Sequence, residues 1–293
     1  MISGTHGLAT AINPAIAVML FATFLQVPFA ELGRAIIRVR FLGALLTSNF
    51  LIVPLLLSFL LPLFELDPTV KLGVLLVLLT PCIDYVITFS HMGRADARML
   101  LAATPALLIV QMLLLPLYLG IFLGDTATTI VDPSPFLHAF VWLIAVPLFL
   151  AALVQLWAAR TRAGHRAATA LGLLPVPATA IVLFIIVAAM VPQIGAAGEA
   201  ALHVVPLYAA FAVAAPVAGW AVARLFRLNA AAGRAVAFST GTRNSLVVLP
   251  LALAIPGAMP ILPAIIVTQT LVELLAELVY VRLIPRVGRS LSG

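Results

Sequence analysis

Charge is scarce in this chain. Its 293 residues include only 10 Asp and Glu and 16 Lys and Arg, and just one of those bases is a lysine. Soluble domains carry about 25% charged residues; here the share is 9%, against 64% hydrophobic, and the mean hydropathy is +1.22. A water-soluble fold cannot hide that much apolar surface. Cysteine is nearly absent as well. Cys82 stands alone, which excludes an intrachain disulfide and a thiolate-rich metal cage, so any role it has is the role of a single thiol. His91, His138, His165 and His203 have no mutual metal-ligand spacing. A Walker-type glycine loop is also missing, so the chain encodes no ATP-driven pump, and its energy must come from a gradient or a partner. The net charge of +6 comes in short clusters between apolar runs and forms no continuous basic face, which argues against a nucleic-acid partner. No resident cofactor is expected.

What is present is a series of long apolar runs. A spanning helix needs about 20 apolar residues, and about nine such runs occur, at roughly 8–30, 41–63, 70–91, 97–123, 136–158, 170–192, 200–223, 235–255 and 260–283. The first is preceded by no Lys or Arg and reads as a span, not as a signal peptide. The expected fold is therefore all-α, a polytopic membrane protein forming one domain over 1–293. The connections sort by sign. Arg34, Arg38, Arg40, Arg94, Arg98, Arg160, Arg162, Arg166, Arg224, Arg227, Arg234, Arg282, Arg286 and Arg289 fall in alternate loops and the C-terminus. The opposite loops hold Lys71 among Glu65, Asp67, Asp125, Asp132 and Glu199. The positive-inside rule then sets the N-terminus outside and the C-terminus in the cytoplasm.

Two spans have centres unsuited to hydrocarbon. The third, VKLGVLLVLLTPCIDYVITFSHMGR, carries Pro81 and Asp84 at its middle; the eighth, AAAGRAVAFSTGTRNSLVVLPLALA, carries Ser239 to Ser245 around Gly241. Proline removes a backbone donor and glycine tolerates non-helical angles, so both spans should unwind there. Unwinding at membrane depth is tolerated only where protein or a water-filled cavity meets the freed groups. Paired broken helices in corresponding halves point to an inverted-repeat transporter with a midplane site. The first repeat would be 1–123, one helix short, and the second 135–293.

Ionisable residues inside spans cost at least about 2.5–3.5 kcal/mol each, so they usually pair or serve transport. Four are placed there: Asp84, Arg243, Glu273 and Glu277. If the two breaks cross, Asp84 and Arg243 face one another, either as a structural ion pair or as part of a site. Glu273 and Glu277 share one helix face, with Glu277 close enough to Arg282 to pair or snorkel there. Glu273 and Asp84 are the candidates for carrying a proton. Cys82, at the first break, reads equally well as a small buried hydrophobe or as a soft ligand for a thiophilic centre.

These segments resemble a known family. LLTPCIDYVITFS is similar to the proline-cysteine segment of the arsenical-resistance arsenite permeases, within the bile acid:sodium symporter superfamily. FSTGTRNSLVVLPLALA resembles the superfamily's second crossing helix, and VTQTLVELLAELVYV the permeases' final span. The resemblance covers nearly the whole chain and implies a ten-span fold whose first helix is missing here. It implies that Cys82 contacts arsenite and that Glu273 is a coupling carboxylate. It places Pro81 and Gly241 at the breaks, with Asp84, Arg243, Asn244 and Ser245 lining the substrate site. The implied activity is export of arsenite or antimonite by proton exchange across a bacterial inner membrane. The alternative is sodium- or proton-coupled transport of an organic anion with Arg243 as its counter-charge. Ser239 and Arg243 stand where sodium-coupled relatives carry glutamate and glutamine, and a fixed cation there repels sodium.

Overall fold

The computed structural model of the chain describes residues 14, 17–22, 24–25, 38–83, 85–124, 140–174, 177–178, 181, 194–253, 255 and 260–287. Most of the expected first and sixth spans lies outside these residues, as does Asp84. In chain order the helices are α1 (Val39–Leu63), α2 (Pro68–Leu78), α3 (Tyr85–Met92), α4 (Ala97–Leu123), α5 (Val146–Arg160), α6 (Arg162–Leu171), α7 (Ile194–Leu225), α8 (Ala230–Gly241), α9 (Ser245–Leu253) and α10 (Ile261–Leu283). Four helices, α1, α4, most of α7 and α10 with the short turn after it, are long and apolar enough to cross a membrane.

Their surfaces suit lipid. On α4, Ile109, Leu113, Leu117 and Ile121 recur every fourth residue and are exposed, as Leu51, Leu55, Phe59 and Leu63 are on α1. Stripes of that size would be a liability in water and are the ordinary surface of a helix in a bilayer. Helix α10 is polar on its inner face instead: Gln269, Glu273, Glu277 and Tyr280 are buried while Leu271, Leu275 and Leu278 face outward. The expected third and eighth spans are each two pieces. Helix α2 has 11 residues and α8 has 12, a reach of about 16–18 Å at 1.5 Å per residue, or about half of a 30 Å hydrocarbon core. The basic segment expected as a loop around Arg162 and Arg166 is helical, as α6, and packs back on α5 so closely that a Cβ on Gly164 would lie 2.7 Å from the Trp157 backbone.

The charge sorting has a structural counterpart. Glu65, Asp67, Glu199 and His203 line one pocket with Ile261, so the starts of α2 and α10 meet the first part of α7 at one end of the molecule. At the other end, the Asp96 amide donates to the Ala231 carbonyl (3.0 Å), and Arg234 donates to the carbonyls of Arg94 (3.0 Å) and Val287 (3.2 Å). The exception to the sorting, Lys71, donates from Nζ to the Phe122 carbonyl at the end of α4 (2.9 Å), where a cation meets the negative end of the helix.

Candidate functional site

The two breaks cross. Residues Pro81 and Arg243 form an antiparallel bridge, with the Cys82 amide donating to the Thr242 carbonyl (3.0 Å) and the Asn244 amide to the Thr80 carbonyl (2.8 Å). Each unwound segment thus supplies an acceptor for an amide that the other freed on leaving the helix, which is what irregular backbone away from water requires. Hydroxyl groups finish the frayed ends. Thr80 donates back to Leu76 O, and Thr240 to Val236 O. Gly241 ends α8 where a Cβ would lie 3.0 Å from the Tyr280 ring, so glycine there permits a close approach of α10.

Around the crossing lies a buried polar cluster. Glu273 accepts from the Tyr85 hydroxyl (2.6 Å), from the Arg243 backbone amide (2.7 Å) and from the Gln269 side-chain amide. Gln269 in turn accepts from the Ser245 hydroxyl (2.9 Å). Asn244 caps α9 by accepting from the Val247 amide (3.2 Å), and its own side-chain NH₂ has no partner among the described residues. Cys82 is a thiol with no exposed surface, its backbone in the bridge. The structure therefore brings Pro81, Cys82, Gly241, Arg243, Asn244, Ser245 and Glu273 together at one crossing.

Arg243 is fully buried, and among the described residues every hydrogen-bond acceptor of its guanidinium is a neutral oxygen: Leu78 O (3.2 Å), Ser239 O (2.9 Å), Thr240 O and Asn49 Oδ1 (2.8 Å). Its Cζ lies 5.4 Å from the centre of the Phe211 ring on α7, within cation–π range. The expectation for Glu277 needs correction. It neither snorkels nor pairs with Arg282; it is fully buried and meets the Thr242 hydroxyl, while Arg282 donates to the Leu278 carbonyl (3.1 Å). One turn of helix puts Glu277 on the Glu273 face, and the crossing carries Thr242 to it.

Sequence reasoning also passes over Asn49, Tyr85, Thr242 and Gln269. Asn49 sits in a π-helical turn, Ser48–Ile52, inside α1 and bonds both Arg243 and Ser239 Oγ (3.1 Å). Such turns favour functional positions, and its signal is the polar triplet Thr47-Ser48-Asn49 amid apolar residues. The Tyr85 hydroxyl reaches Glu273 and also the Arg243 carbonyl (2.9 Å). Tyr85→Phe is expected to lower stability by about 1–2 kcal/mol, read as a lower thermal unfolding midpoint in detergent.

Among the described residues no group of three or more His, Cys, Asp or Glu is placed to hold a metal ion. In comparisons with known proteins, a family model described as Sodium Bile acid symporter family matches residues 13–197. The matched region takes in the first break and stops before the second. No curated protein matches the chain.

Proposed function

The chain belongs to the Sodium Bile acid symporter family, whose members are transporters, and from that premise we propose that it is a secondary transporter whose substrate site is the crossing of the two broken helices. The observation that carries this reading is the pairing of Pro81 with Arg243 where the two broken helices cross, with buried Glu273 directly behind it. Broken spans leave polar backbone facing one another inside an apolar body, a costly arrangement that transporters use to hold a solute and then release it.

The cargo we propose is trivalent arsenic, as arsenite or antimonite, exported from the cytoplasm by proton exchange. Cys82 would meet the metalloid through one soft sulfur, weak enough to let go. Asp84, Asn244 and Ser245 would line the site with Arg243. Glu273, which accepts three hydrogen bonds, would carry the proton, alone or with Asp84. The wider topology belongs to the same proposal: about nine spans in two inverted repeats, 1–123 and 135–293, with N-terminus outside and C-terminus in the cytoplasm of a bacterial inner membrane. Cys82→Ser is expected to abolish arsenite resistance in a sensitised bacterial host at unchanged protein level. Full retention of resistance rejects the thiol contact.

A second reading is favoured by the half-helices α3 and α9, which both start at the crossing. Their N-termini are positive ends and suit an anion. Under it the chain carries an organic anion, coupled to sodium or protons, and carboxylate uptake by proteoliposomes identifies it.

A further inference from the structure

Three helical carbonyls lose their partners at the breaks. In an unbroken helix, Leu78 O, Ser239 O and Thr240 O would accept from the amides of Cys82, Arg243 and Asn244, four residues on. All three amides are diverted: Cys82 to Thr242 O, Arg243 to Glu273 Oε2 and Asn244 to Thr80 O. The three orphaned oxygens come from the negative ends of α2 and α8. They converge on one volume, joined there by Asn49 Oδ1 from the π turn of α1.

Three carbonyl oxygens at the carboxyl ends of two half-helices, with a fourth neutral oxygen from the Asn49 side chain, are the chemistry that replaces the hydration shell of an alkali cation. Here the volume holds the Arg243 guanidinium, which touches all four. Among the described residues its Nε has no partner, and its hydrogen bonds all go to this oxygen set.

We infer that Arg243 is a tethered cation filling an alkali-ion cage built by the two helix breaks, so that the chain completes this crossing without sodium or potassium, and that removing the side chain opens the cage to a monovalent metal ion. The inference deepens the coupling side of the transport reading and rests on it only for its meaning in the cycle. Its readout is ion binding by the purified chain, with no substrate present. Failure here leaves the arsenic and anion readings standing, and their failure leaves this one standing.

The test compares wild type, Arg243→Lys and Arg243→Ala as full chains in detergent. Sodium binding is followed by equilibrium dialysis of radioactive sodium, and unfolding midpoints are taken in sodium chloride and choline chloride at equal ionic strength. Wild type and Arg243→Lys are expected to bind no sodium and to unfold at the same temperature in both salts. Arg243→Ala is expected to bind sodium saturably and to gain about 5 °C in about 100 mM sodium chloride over choline chloride. Folding of Arg243→Ala only when sodium is present supports the inference equally. Three results overturn it: saturable sodium binding by wild type that Arg243→Ala leaves unchanged, folded Arg243→Ala with no response to sodium, potassium or lithium, or Arg243→Ala that folds in none of those salts.

Discussion

Glu273→Ala is expected to lower stability by about 3–4 kcal/mol and to end transport. The carboxylate accepts from three donors held by three separate elements: Tyr85 on α3, the Arg243 amide in the second break and Gln269 on its own helix. Tyr85 has a second acceptor in the Arg243 carbonyl, but the Arg243 amide and the Gln269 NH₂ would be left stranded in a buried setting. Each stranded donor costs about 1–3 kcal/mol. Glu273→Gln separates folding from coupling. It keeps the side chain's shape and one acceptor oxygen, so a smaller loss of about 1–2 kcal/mol is expected, yet it carries no exchangeable acid proton. The measurements are unfolding midpoints in detergent and flux into proteoliposomes under an imposed pH gradient. Folded Glu273→Gln should give background flux; wild-type flux from it would remove Glu273 from coupling.

The second large effect belongs to a residue with no chemistry of its own. Gly219→Ala is expected to destabilise by about 2–3 kcal/mol, because overpacking a tight contact costs about 1–3 kcal/mol and this one has little room to relax. A Cβ there would lie 2.4 Å from Thr240 Oγ1, 2.8 Å from Thr240 Cβ and 3.2 Å from Ala237 Cα. Helices α7 and α8 are in close contact, as small residues allow between helices in a membrane. Pushing α8 away also moves the Thr240 carbonyl that holds Arg243, so flux should fall with stability. Gly120→Ala is the matched control: nothing lies within 4 Å of its Cβ position on α4, and a gain of about 0.5–1 kcal/mol is expected from helix propensity alone. Equal unfolding midpoints for the two variants would show that the α7–α8 contact is looser than its geometry.

Parts of the site are legible in the residue types alone. Pro81 and Gly241 mark the breaks because a lost donor and a tolerated turn are visible amid apolar runs. Glu273 stands out because a carboxylate inside a span is costly wherever its helix lies. Asn49 is harder to see. Serine and asparagine are cheaper to bury, and only the π turn aims Asn49 at Arg243. Thr242 and the Ser245 contact of Gln269 are hidden for another reason: they depend on partners 35 and 24 residues away in the chain, and no local pattern encodes such a pairing.

The sequence by itself determined which segments suit lipid and where two of them break. Hydropathy reports how each segment partitions between lipid and water, and a proline or glycine amid apolar residues reports a break, both being properties of single segments. Partnership was decided only by the tertiary structure. A span read as broken leaves orphaned carbonyls, but what meets them depends on the crossing. Here the second break carries its own arginine into the oxygens of both helix ends, leaving its backbone amide for Glu273. The residue that the charge pattern could assign to neither side is the one that the fold uses to join the two breaks.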